Sequence, residues 1–255
     1  MRRAGITPES IDLVAISHGH LDHIGGLVTK SGALAFPKAQ FVFVDTEWNY
    51  WTGGSYEVEV NSSPMPDPFK EGTIRAAREN LPPIAYRSRF VKQGGEITNG
   101  VHYIAAPGHS PSHASILFTS GKEQFLHMGD IAHNPITSLQ HPDWTPLFDY
   151  EPAQAIKSRK AILDRVATDR VMVMGYHFPF PALGHVVRCG TAYHWEAVPL
   201  GAEQPDARSR QCSGTGAHEG ICPVGKHVSR TDRRRDGSRR RADDRQYRRR
   251  GHRRL

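Results

Sequence analysis

Apolar residues fall into short runs separated by polar, glycine- and proline-rich turns, and the runs follow two periods, one suited to strands and one to helices. The run from Ile11 to Ile16 predicts a strand over 12–17. Phe41-Val42-Phe43-Val44-Asp45 predicts a second strand, buried on both faces because its apolar character is unbroken. Further strands are predicted over 101–106, over 114–119 and 124–128 with a turn at Ser120-Gly121-Lys122 between them, and over 171–176. A hairpin is predicted over 185–198, turning at Cys189-Gly190-Thr191. Ala155, Ile156, Ile162, Leu163 and Val166 keep helical spacing, so 152–167 reads as an amphipathic helix, and 69–81 is helical in pattern. Residues 4–11 read as a short helix with Thr7 as N-cap and Pro8 at its first position. Trp48, Tyr50 and Trp51 suit a helical turn, and the Gly, Ser and Pro content of 52–68 predicts a loop.

The strand ends carry the chemistry. Directly after the first strand, Ser17-His18-Gly19-His20-Leu21-Asp22-His23-Ile24-Gly25-Gly26 packs three imidazoles and a carboxylate into six residues. His18 and His20 alternate, so an extended backbone projects both rings to one side. Asp22 and His23 follow where the chain turns into a short helix opened by Gly25 and Gly26. A lone histidine is usually a satisfied core or surface residue, but burying this cluster without a metal would strand too many polar groups. Imidazole and carboxylate are the donors zinc accepts, and four of them here exceed what one tetrahedral ion takes from a local segment. Two adjacent ions, completed from farther along the chain, are therefore expected. The same arrangement recurs: His109 ends one strand within Pro107-Gly108-His109-Ser110, Asp130 ends another after Gly129, and His177 ends a third. All are expected to emerge on one edge of a sheet.

Composition changes this picture mainly at the far end. The 255-residue chain is 38% hydrophobic and has a formal charge of +7. Thirteen arginines against four aspartates give residues 230–255 a charge of +9, so the rest carries −2. Residues 1–200 are expected to form the folded domain, and 201–255 an Arg-rich tail too poor in apolar residues to fold. Such a tail binds nucleic acid without sequence specificity, through counterion release; a terminus translated out of frame explains it equally well. No apolar run reaches transmembrane length and Met1-Arg2-Arg3 does not begin a signal peptide, so a cytoplasmic protein without membrane contact is expected. The three cysteines lack metal-type spacing, and no GxSxG motif supplies a serine nucleophile.

HxHxDH at 18–23, PGHS at 107–110, GD at 129–130 and the late strand-end His177 together resemble the metallo-β-lactamase fold hydrolases. The segment His177-Phe178-Pro179-Phe180-Pro181-Ala182-Leu183-Gly184-His185-Val186 is similar to the branch holding methyl parathion hydrolase-like and lactonase-like enzymes. The resemblance spans roughly residues 4–200 and implies an α+β fold, the four-layer αββα sandwich. Members carry several strands before HxHxDH, whereas about 17 residues precede it here, so the early strands of the first sheet are expected to be missing. The resemblance further implies that His18, His20 and His109 hold one zinc ion and Asp22, His23 and His177 a second. Asp130 would bridge them, and a hydroxide would sit between the ions. Asp22 and Asp130 are the carboxylates it assigns to catalysis. The reaction implied is hydrolysis of a small-molecule ester, lactone or phosphotriester, with no organic cofactor and with room for a homodimer. His113 is expected to be structural or to support a ligand, and His133 and His185 are candidates for the pocket wall. Trp48, Trp51, Phe148, Phe178 and Phe180 are candidates for an apolar wall, each with core packing as the alternative. An inactive remnant that keeps the ligand set is the competing reading. A nucleic-acid-binding protein with a structural zinc is disfavoured, because structural sites close with four ligands.

Overall fold

The computed structural model describes residues 1–199, and the tail predicted at 201–255 lies outside them. Ten strands run in chain order: β1 (Leu13–Ala15), β2 (Gln40–Val44), β3 (Ser88–Val91), β4 (Glu96–Thr98), β5 (Val101–Ala105), β6 (Ala114–Ser120), β7 (Glu123–His127), β8 (Met172–Met174), β9 (Leu183–Cys189) and β10 (Ala192–Ala197). The α-helices are α1 (Leu21–Ile24), α2 (Asp45–Thr52), α3 (Ser55–Ser62), α4 (Asp67–Ile84), α5 (Thr137–Gln140) and α6 (Pro152–Thr168). They build an αββα sandwich. A three-stranded parallel sheet, β1-β2-β3, packs on a seven-stranded sheet ordered β10-β9-β8-β7-β6-β5-β4. Among the described residues β1 pairs only with β2.

The unbroken apolar run of β2 has the cause its sequence suggests. Phe41 and Phe43 face α2, α3 and α4 in one cluster with Trp51, Leu81 and Ile84. Val42 and Val44 face the other way, meeting Ile97, Tyr103, Ala114 and Ile116 between the sheets. A third cluster joins the outer face of the larger sheet to α6 through Leu117, Leu126, Ile162, Leu163 and Val166. Full burial of each large side chain contributes about 1.5–3 kcal/mol, so α6 is pinned by its apolar stripe. Tyr103, fully buried, places its hydroxyl 3.0 Å from Ile16 O and 2.6 Å from Val42 O, tying the two sheets just behind the histidine loop.

Several local expectations change. In place of a helix over residues 4–11 the chain forms 3₁₀ turns at Arg2–Ala4 and Pro8–Ser10, with no side-chain cap from Thr7. The predicted loop 52–68 contains α3: Tyr56-Glu57-Val58-Glu59-Val60 alternates as a strand would, yet only Tyr56 and Val60, one turn apart, are buried, and Val58 is 73% exposed. Asp22 and His23 lie inside α1, which Gly25 closes rather than opens. The strand ends bearing the donors belong to two sheets, not one edge of a single sheet: β1 lies in the smaller, and β5, β7 and β8 in the larger. β7 and β8 run parallel, which brings Asp130 and His177 out at the same end.

Candidate metal centre

Four loops at strand C-termini converge. The turn after β1 supplies His18 and His20, and α1 adds Asp22 and His23; the loops after β5, β7 and β8 supply His109, Asp130 and His177. Donor atoms of His18, His20 and His109 lie within 4.8 Å of one another, as do those of Asp22, His23, Asp130 and His177. His18 Nε2 is 3.0 Å from His20 Nδ1, which is 2.9 Å from His109 Nε2. Asp130 stands between the two groups. Its Oδ2 is 3.2 Å from His109 Nε2 and 3.1 Å from His177 Nε2, and its Oδ1 is 3.1 Å from His23 Nε2. All seven predicted donors are thus brought together. His18, His109 and Asp130 are buried, while Asp22 and His177 face the opening.

The donor set fits divalent ions. Nitrogens held about 2.0–2.1 Å from one zinc ion in a tetrahedron stand about 3.3 Å apart, close to the imidazole separations seen here. His23 Nε2, Asp130 Oδ1 and His133 Nε2 are buried without a hydrogen-bond partner, a cost that coordination would remove.

The surroundings prepare these donors. Burial pushes the His18 and His20 rings well below their ordinary range, so both are neutral and able to ligate. Burial would raise Asp130, but the close rings of His109, His133, His177 and His23 outweigh it and keep the carboxylate ionised. For His109 burial is again outweighed: hydrogen bonds to Asp130 and Asp149 lift the ring to about 9. His109 Nδ1–H donates to Asp149 Oδ1 at 2.8 Å, leaving Nε2 turned into the cluster, an orientation typical of metal-ligating histidines. Asp149 in turn meets Arg159 at 3.4 Å; that buried guanidinium also donates to Ile131 O, Pro142 O and Trp144 O. His113 is spoken for at both nitrogens. Nδ1–H donates to Ala106 O at 3.1 Å, and Nε2 accepts the Asp130 backbone N–H at 2.9 Å. It therefore supports Asp130 rather than a metal.

A cavity of about 530 Å³ opens beside His20 and Asp149, walled by Tyr50, Trp51, Val60, Met65, Leu147 and Phe148. Of the five aromatic candidates, Trp51 and Phe148 line it. Trp48 packs against Phe43 and Phe90, Phe178 lies in the core, and Phe180 is 88% exposed. His133 does join the site, 3.4 Å from Asp130 Oδ2 and stacked on His177. His185 lies along β9 and does not line this cavity. Asp149 and Arg159 carry no sequence signal, because no local motif links them to His109.

A family model for the metallo-β-lactamase superfamily matches residues 1–177, ending on the last of the seven donors. The chain belongs to that superfamily. An N-acyl homoserine lactonase of Bacillus thuringiensis is 24% identical over 178 residues, covering 69% of this chain and 60% of its own length. One from Bacillus cereus is 25% identical over 177 residues, with 69% and 60% covered. The chain thus spans about three fifths of the length of the curated relatives it matches. Among solved structures, AidC, a dizinc quorum-quenching lactonase, superposes with a TM-score of 0.72 at 26% identity, covering 78% of this chain and 68% of AidC. AbOPH, a hydrolase of the β-lactamase superfamily, gives 0.70 at 24% identity over 78% of this chain and 68% of its own, which bears on the fold alone. Among the described residues, no helix of this superfamily member is long and apolar enough to cross a membrane.

Proposed function

We propose that this protein is a metal-dependent hydrolase of neutral small-molecule esters, lactones or phosphotriesters, with a two-ion zinc centre held by His18, His20, Asp22, His23, His109, Asp130 and His177. The observation that carries the reading is the convergence of these donors from both sheets, with buried donor atoms left unpartnered and with His20 at the wall of a partly apolar cavity. Two divalent ions, once bound, supply the Lewis acidity and the activated water that hydrolysis needs. The chain's own groups do the rest. Asp130 lies between the two donor groups and would be shared by them, and Asp22 reaches the open side, 3.4 Å from His177. His133, neutral because burial lowers its pKa, stands beside Asp130.

The cavity narrows the substrate. No lysine or arginine lines it, while Glu59, Glu151 and Asp149 do, so an anionic substrate meets repulsion and an apolar arm meets Trp51, Met65 and Phe148. AidC and the Bacillus lactonases act on lactones by their names, which supports testing neutral lactones first. The folded hydrolase domain is assigned to residues 1–200, and the Arg-rich residues 201–255 to a separate tail.

The test combines metal analysis with turnover. Protein dialysed against metal-free buffer should retain close to two zinc equivalents per chain and hydrolyse neutral lactones or esters faster than anionic ones. Asp130→Ala should lose turnover by at least about a hundredfold and release metal. Wild-type turnover in that variant, or a wild-type protein holding less than half an equivalent, would overturn the proposal.

A further inference from the structure

Glu47 is a buried carboxylate, 1% exposed, in the first turn of α2. Among the described residues no cation pairs with it, and burial raises its pKa. Unpaired buried carboxylates are costly, and this one is compensated by neutral hydrogen-bond donors. Its Oε1 accepts the Gly19 backbone N–H at 3.0 Å and the Trp51 indole N–H at 2.7 Å; its Oε2 accepts the Ser112 backbone N–H at 2.8 Å. Gly19 lies between His18 and His20. Ser112 lies on the loop of His109 and directly precedes His113, the residue that accepts the Asp130 N–H. One oxygen therefore grips each loop, although the loops are about ninety residues apart in sequence.

Two further contacts stiffen the clasp. Thr46 and Ser112 hydroxyls meet at 2.7 Å. The Trp51 indole lies flat against Gly19: a Cβ there would fall 2.3 Å from the ring. The same indole meets the His20 ring edge-on, with centroids 5.5 Å apart.

We propose that Glu47 is a positioning residue that sets the spacing of His18, His20 and His109, and so the metal affinity of that group in particular. The inference rests on the proposed reading of those three imidazoles as ligands. The hydrogen bonds of Glu47 go to Gly19, Trp51 and Ser112, on the loops of His18, His20 and His109 and on its own helix, and none goes to Asp22, His23 or His177, so its effect is selective. A glutamine of equal size keeps one acceptor oxygen but turns an NH₂ toward an N–H donor, opening one side of the clasp. Losing such a support typically costs about 10–100-fold in metal affinity.

The experiment is zinc competition with a chromophoric chelator on full-length wild type, Glu47→Gln and Glu47→Asp, with His20→Ala and Asp22→Ala marking which binding step belongs to which group. Cobalt absorption spectra and metal-free melting temperatures are recorded alongside. The expected result is a loss of about tenfold or more in the step that His20→Ala abolishes, with an altered cobalt spectrum. The step that Asp22→Ala abolishes and the metal-free melting temperature should stay near wild type. If Glu47→Gln does not fold, Glu47→Asp, which keeps the charge but shortens the arm, must show the same selective loss. Unchanged binding overturns the inference, as does parallel weakening of both steps in proportion to lost folded protein. A wild type that binds no zinc sinks the metal reading itself, whereas two ions in wild type with unaltered variants sink only the role of Glu47.

Discussion

His113 and His109 sit on one loop, both buried, yet they are prepared for different work. His113 uses both ring nitrogens on backbone groups, and burial pushes it down to about 3, so it stays neutral at every working pH. His109 gives only Nδ1 to Asp149, and with Asp130 facing its other nitrogen the ring is lifted to about 9. A metal takes the neutral ring, so loading the His18, His20, His109 group near neutral pH must expel a proton from His109. Apparent zinc affinity of that group should rise about tenfold per pH unit between 7 and 9 and level off above. Competition titrations across that range check this, and a flat profile would contradict it. The clustering of the candidate donors was legible in the sequence because HxHxDH is dense and the later ones each close a strand. Glu47, Asp149 and Arg159 were not, since their partners lie far away in the chain and only folding brings them together.

At the level of elements, the strands were legible wherever burial on both faces made the run continuous, as in β2. β3 and β4 escaped because Ser88–Val91 and Glu96–Thr98 are short and half polar, and α3 escaped because packing of Tyr56 and Val60, not propensity, holds it helical. The loop bearing His109 shows what a turn glycine does. Gly108 adopts φ +123°, and a Cβ on it would lie 2.2 Å from the backbone nitrogen of Ala155 at the start of α6. Its carbonyl accepts the Glu151 N–H at 2.8 Å, so loop and helix are in direct backbone contact. Gly108→Ala should destabilise the protein by at least about 2 kcal/mol, through strain and displacement of α6. Denaturant unfolding measures this, and a change below about 0.5 kcal/mol would show that the helix start yields freely.

The described residues form two sheets joined by an apolar layer and, at one end, by the donor cluster. His18, His20, Asp22 and His23 follow β1 of the smaller sheet; His109, Asp130 and His177 follow strands of the larger. An ion held by both sets links the two halves as a cross-link does. A ligand present a thousandfold above its dissociation constant adds about 4 kcal/mol to stability, which for a chain of this size corresponds to roughly 10 °C in melting temperature. Calorimetry with zinc and then with a chelator should show that difference, and superimposable curves would exclude the cross-link. The arrangement has a consequence for the life of the protein in a cell. Molecules made when metal is scarce would open more often and meet proteases sooner, so the amount of protein would follow the metal supply with no dedicated regulator.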